Sequence, residues 1–143
     1  LTSSDWYMRN SALLAIVHLD RESALNWSEK LLSDPALVVR TAAAQNIHKL
    51  NGIEKEDVLW EKMYAPENFK GKNSLWIRHH LAQTLAKFAR PGMEEKFLKL
   101  LSDEDERLHL WAIQGLERST GERLAPEAKT IAEKRMAWLK WKK

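Results

Sequence analysis

Apolar residues recur along this chain with the spacing of a helix face, and the same face appears four times. Val39, Ala43, Ile47 and Leu50 are separated by four, four and three residues, with Arg40 after the first. That spacing lines one side of an α-helix and not of a strand. Thirty-one residues earlier the same slots hold Met8, Arg9, Ala12, Ile16 and Leu19. Thirty-eight residues later they hold Ile77, Arg78, Leu81, Leu85 and Phe88, and a further 31 give Leu108, His109, Ala112, Leu116 and Ser119. We term these the inner helices. A fixed period of this length marks a stacked-repeat architecture.

A second amphipathic segment precedes inner helices two to four. Residues 22–33 place Ala24, Trp27, Leu31 and Leu32 on one side, 54–64 place Val58, Leu59 and Met63, and 93–101 place Met93, Phe97, Leu100 and Leu101. Leu-Leu-Ser-Asp occurs at 31–34 and again at 100–103. Ser33-Asp34-Pro35 and Ser102-Asp103 have the chemistry of a turn and N-cap launching the next helix. Asn51-Gly52, Pro91-Gly92 and Gly121 are stop signals. No alternating run reads as a strand. The expectation is a single all-α domain over 1–143: units at about 1–20, 21–51, 52–90 and 91–120, and a capping helix over 126–143.

Residues 31–50, Leu-Leu-Ser-Asp-Pro followed by Val39-Arg40, Ala43, Ile47 and Leu50, resemble a unit of the HEAT-repeat family, including its short bacterial members. The resemblance covers nearly the whole chain. It implies a right-handed α-α superhelix, a solenoid of about four helix pairs. It is specific for fold and uninformative for function, because such repeats serve many roles. It also implies a ladder of hydrogen bonds between turn aspartates and inner-helix arginines, here Arg9, Asp34, Arg40, Arg78 and Asp103. Two positions depart from that pattern: Lys72 stands where the third copy calls for Asp, and His109 where the fourth calls for Arg.

The 38-residue step means that seven extra residues enter the third unit, between Tyr64 and Ile77. Insertions in repeat arrays emerge as loops. Residues 65–73 are read as a lengthened turn, either a lip that sets Phe69 beside Trp76 or a segment folded back over its own unit.

The chain has three glutamines, and Gln45, Gln83 and Gln114 all occupy one slot, two residues beyond the small mid-helix position. Leu14 holds that slot in the first copy. Each amide carries a donor and an acceptor. Spaced by one helix layer, about 10 Å, they suit the backbone of an extended peptide, much as an amide ladder does in the related armadillo repeats. Asn10, Thr41, His79 and Leu110 form an adjacent row; His18, Lys49, Lys87 and Arg118 form a basic one. Tyr7 and Trp76 share a register at the starts of their helices, where aromatic anchors of an interface or hydrophobic staples are both at home.

Charge refines the picture at one end only. The net +3 arises because residues 122–143 hold seven basic side chains against three acidic, leaving −1 for the first 121. The last helix carries Ile131, Met136, Trp138 and Leu139 and reads as a cap. Its end, from Trp138 to Lys143, is also suited to peripheral contact with an anionic surface, with Trp141 off the apolar stripe. No run of about 18 apolar residues occurs, so no membrane span is expected. The absence of Cys excludes disulfides and thiolate chemistry. With Leu1 as first residue it leans toward an exported protein, though either compartment fits.

Catalytic constellations do not stand out. The histidines His18, His48, His79, His80 and His109 lack the i,i+4 spacing of a helical metal site, and neither a Gly-rich phosphate loop nor a nucleophile elbow is present. No cofactor is expected. Bilin lyases use related repeats, but the chain is short for one. The sequence reading is a non-catalytic scaffold that binds another protein or a peptide on its concave face. Its alternative is phosphate-backbone binding, as a nucleic-acid binder or a degenerate relative of the DNA-alkylation-repeat glycosylases, which Ser74-Leu75-Trp76-Ile77-Arg78 superficially resembles.

Overall fold

The apolar stripes become helices, buried at most of the selected positions in the second, third and fourth inner helices, whereas Met8 in the first and Met136 and Leu139 in the last helix are exposed. The computed structural model describes residues 6–15 and 20–141, with side-chain detail for all of these except Trp6, Tyr7, Leu13 and Leu14. Inner helices α1 (Trp6–Ala15), α3 (Leu37–Lys49), α5 (Ile77–Lys87) and α7 (His109–Thr120) alternate with α2 (Arg21–Leu31), α4 (Glu56–Met63) and α6 (Glu94–Leu101). A last helix, α8 (Ile131–Leu139), follows. Val39, Ala43 and Ile47, then Ile77, Leu81 and Leu85, then Leu108, Ala112 and Leu116 are all buried. The chain divides into two compact units, Leu1–Thr84 and Leu85–Lys143.

In the first unit, α1 and α2 both pack on α3. The expected N-cap at Asp34 is displaced. The cap residue of α3 is Ala36, which has no capping side chain, while Asp34 accepts the Ala36 N–H at 2.8 Å. That leaves the rest of its carboxylate for Arg9, which forks onto it through Nε and Nη2. Both side chains are buried. Hydrogen bonds from Arg9 pull the Asp34 carboxyl below its ordinary value, against the opposing effect of burial. At the far end of α3, Asn51 takes a left-handed backbone (φ 52°). Arg21 donates to the Leu50 and Asn51 carbonyls there and forks onto Glu54. The exposed Glu54 carboxyl is drawn down to about 2 by that contact.

The insertion does not project as a lip. It folds back as a 3-10 turn, Pro66–Asn68, and a two-residue hairpin, β1 (Phe69–Lys70) with β2 (Asn73–Ser74), where no strand was expected. Phe69 lies over the Arg78 guanidinium, 4.4 Å from it, and Tyr64 flanks the same group. A cation spread over an aromatic face is electrostatically favoured, so the extra residues cover a buried arginine.

In the second unit, α6 packs on α7 and both contact α8. The fit is tight at Gly115 of α7, where an added Cβ would run into the buried Phe97 ring of α6. Gly121 ends α7 in the left-handed conformation (φ 75°). The last helix begins at Ile131, later than the expected start near Pro126, because Thr130 caps it by accepting the Glu133 N–H. Thr130-Ile131-Ala132-Glu133 is a capping-box sequence. Trp138 is fully buried. Trp141 is no free anchor either: its ring packs near Trp138 and its Nε1–H donates to Glu122 at 2.7 Å. Lys142 and Lys143 lie outside the described residues. No helix among the described residues is long and apolar enough to cross a membrane.

Two stability measurements check this packing. Asp34→Asn removes the carboxylate that the buried Arg9 forks onto and is expected to cost about 3 kcal/mol at pH 7. Because the folded carboxyl titrates below its ordinary 3.8, that contribution is present above about pH 4 and lost as the pH falls through the depressed value. Urea midpoints of wild type and variant therefore converge as the pH falls through that value; a gap that never narrows as the carboxyl is protonated contradicts the pairing. Gly115→Ala brings a better helix former, worth about 1 kcal/mol, but overpacks the Phe97 ring at about 1–3 kcal/mol. A lower melting temperature is expected, and a higher one contradicts the close approach.

Candidate functional site

The inner helices of the first unit carry most of the residues singled out from the sequence, and two clefts bring them together. The first, about 430 Å³, is lined by Asn10 from α1 and by Leu37, Val38, Thr41, Ala42 and Gln45 from α3. The second, about 270 Å³, is lined by Gln45, His48 and Lys49 from α3 and by His80, Gln83 and Thr84 from α5. Gln45 borders both. Of the expected row, Asn10 and Thr41 therefore share a cleft, and Gln45 and Gln83 share the next.

The two clefts differ in chemistry. Leu37 and Val38 are exposed beside the first, and the Thr41 hydroxyl is turned onto the Leu37 carbonyl at 2.9 Å. Its mouth is apolar. The second is polar and organised by one chain of bonds. Thr84 Oγ1–H donates to the His80 carbonyl at 2.9 Å. Having spent its proton, that oxygen accepts from His48 Nδ1–H at 3.0 Å. The bond fixes the imidazole of His48 and its tautomer. Burial pushes the His80 pKa below its ordinary 6.5, so that ring is neutral at pH 7. Lys49 is exposed and forms no ion pair with a described residue.

The remaining candidates fall elsewhere. Trp76 is 51% exposed and stacks on His79, with ring centroids 4.2 Å apart, while His80 meets the indole edge-on. His79 is thus the lower half of an aromatic pair at the start of α5. Gln114 belongs to the second unit, where it lines a separate cleft with Glu117, Arg118, Gly121 and Arg123. The Tyr7 and Leu14 side chains and all of His18 lie outside the description. The basic row is not a row of free cations. Arg118 spends its guanidinium on the Ala86 and Lys87 carbonyls that end α5.

Of the expected arginine–aspartate ladder, the bond between Arg9 and Asp34 is present in the first unit. Arg40 reaches not Lys72, which is exposed, but Asn68: Nε–H donates to Asn68 Oδ1 at 3.1 Å and Nη2 to the Glu67 carbonyl at 2.7 Å. Its Nη1 holds the Asp34 and Pro35 carbonyls of its own turn. Asn68 is fully buried and also donates to the Lys62 carbonyl. Arg78 donates to the Met63 carbonyl and to Ser74 Oγ. In the second unit, His109 bonds the Asp103 carbonyl at 2.8 Å, as Arg40 bonds that of Asp34, and Asp103 accepts the Asp105 N–H. The substituted histidine keeps the bond to the turn.

Sequence reasoning missed Asn68 and Thr84. Asn68 carried a weak signal as the polar residue of Pro-Glu-Asn, a turn sequence; Thr84 gave none. Comparison of the chain with family models, with curated proteins and with solved structures finds no match.

Proposed function

We propose that this chain is a HEAT-like repeat scaffold, a right-handed solenoid of helix pairs, that holds an extended segment of another protein and performs no chemistry of its own. The observation that carries the proposal is the sharing of Gln45 by two successive clefts, one between α1 and α3 and one between α3 and α5. Two clefts that share Gln45 suit a ligand that runs from one to the next. Amides at the ridge suit a peptide backbone, which needs both donors and acceptors met. The repeat reading draws support from the recurring bond between an inner-helix side chain and a turn carbonyl, at Arg40 and at His109.

The competing reading, contact with a phosphate backbone, finds less support where the clefts lie. Residues 1–84 hold ten basic and ten acidic side chains, and a backbone reader needs a clear cationic excess.

A Gln45→Ala/Gln83→Ala variant should capture the partner from native extract about tenfold less than wild type, with an unchanged melting temperature. Gln114→Ala alone reports whether the third amide belongs to the same surface. Capture should change by less than about threefold between 50 and 200 mM salt, against about a thousandfold for a protein that neutralises many phosphates. Undiminished capture by the double variant removes the proposal.

A further inference from the structure

We propose that the cleft between α3 and α5 receives a carboxylate side chain of the bound peptide, and the cleft between α1 and α3 an aliphatic side chain three residues away. This rests on the peptide-binding reading and adds to it the sequence that the groove selects.

The first argument is charge. None of Gln45, His48, Lys49, His80, Gln83 and Thr84 carries a negative charge, and Lys49 carries a positive one. The second is commitment. Thr84 and His48 Nδ1 are engaged with each other. The side chains of Gln45, Lys49 and Gln83 make no hydrogen bond with any described residue. Two amide groups and an ammonium therefore open onto a cleft of about 270 Å³ with their donors unassigned. A carboxylate accepts about four hydrogen bonds, and charge-assisted bonds are the strong ones. A lysine side chain would meet Lys49, and an aliphatic one would strand the donors.

The spacing follows from the helices. Packed helix axes lie about 8–10 Å apart. In a peptide of polyproline-II form, residues three apart share a face and stand about 9 Å apart. A side chain in the α3–α5 cleft thus has its third neighbour over the α1–α3 cleft, where Leu37 and Val38 are exposed.

The test uses the whole chain and three probe peptides, acetyl-Leu-Thr-Ser-X-Ser-Thr-Leu-amide with X as Glu, Gln or Lys. They set Leu three residues from X in both directions. Side-chain amide signals of Gln45 and Gln83 are followed by ¹H–¹⁵N NMR. The Glu probe should shift both and bind about tenfold tighter than the Gln probe, and replacing both Leu by Ser should weaken it. Lys49→Glu, at an exposed site, should reverse the preference in favour of the Lys probe while leaving the rest of the spectrum in place. Equal binding of the Glu and Gln probes overturns the carboxylate assignment and leaves the peptide reading standing. If no probe moves either amide, both fall. A single-stranded oligonucleotide that saturates the same signals more tightly than the Glu probe assigns the cleft to phosphate and overturns the proposal.

Discussion

Buried guanidinium groups govern how the first unit is built. Arg9, Arg40 and Arg78 are each at most 8% exposed. Withdrawing such a charge from water costs several kcal/mol unless its donors are all met. Arg9 forks onto a carboxylate, Arg40 donates to an amide and three carbonyls, and Arg78 donates to a carbonyl and a hydroxyl and lies against two aromatic rings. The acceptors lie on turns, and Arg9 and Arg40 reach the turn of the following helix pair. Arg40 thereby links its own turn to the next while closing the carbonyls of Asp34, Pro35 and Glu67, and Arg9 reaches the Asp34 turn. Apolar packing alone tolerates sliding; a forked bond of fixed geometry does not.

Two clefts of the first unit draw on more than one inner helix. Gln45 and Gln83 come to border one cleft, while Asn10, Thr41 and Gln45 border another. The polar chain through His48, Thr84 and the His80 carbonyl joins α3 to α5. A surface of this kind can recognise a ligand with no moving part, because its groups are positioned by the same contacts that fold the unit.

The helices were legible in the sequence because the 3.6-residue period is a strong signal over 10 or more residues, and most slots it picks in α3, α5 and α7 are buried, while Met8 of α1 and Met136 and Leu139 of α8 are exposed. Features that depend on register through the insertion were not. Asp34 precedes Arg40 by six residues and Asp103 precedes His109 by six, but Asn68 precedes Arg78 by ten. The seven extra residues are thus split, three before Asn68 and four after. Counting along the chain lands on Lys72, and an amide in place of a carboxylate hid the equivalence further. The start of α8 was misplaced for a different reason: Pro126 was taken as the helix start, although Thr130 and Glu133 form the better cap. Trp141 stands off the apolar stripe, and its bond to Glu122, 19 residues away, leaves no mark in the sequence. The amide slot was visible as a coincidence of three glutamines; that two of them share a cleft required coordinates.

The central claim is that arginine-to-turn bonds lock successive helix pairs. A double-mutant cycle between Arg40 and Asn68, using Arg40→Met and Asn68→Leu, tests it most directly. The account predicts a coupling free energy above about 1 kcal/mol, with the double variant losing clearly less than the sum of the single losses. Losses that add to within about 0.5 kcal/mol, the behaviour of independent sites, would show that the two side chains do not act as one lock and would contradict the account.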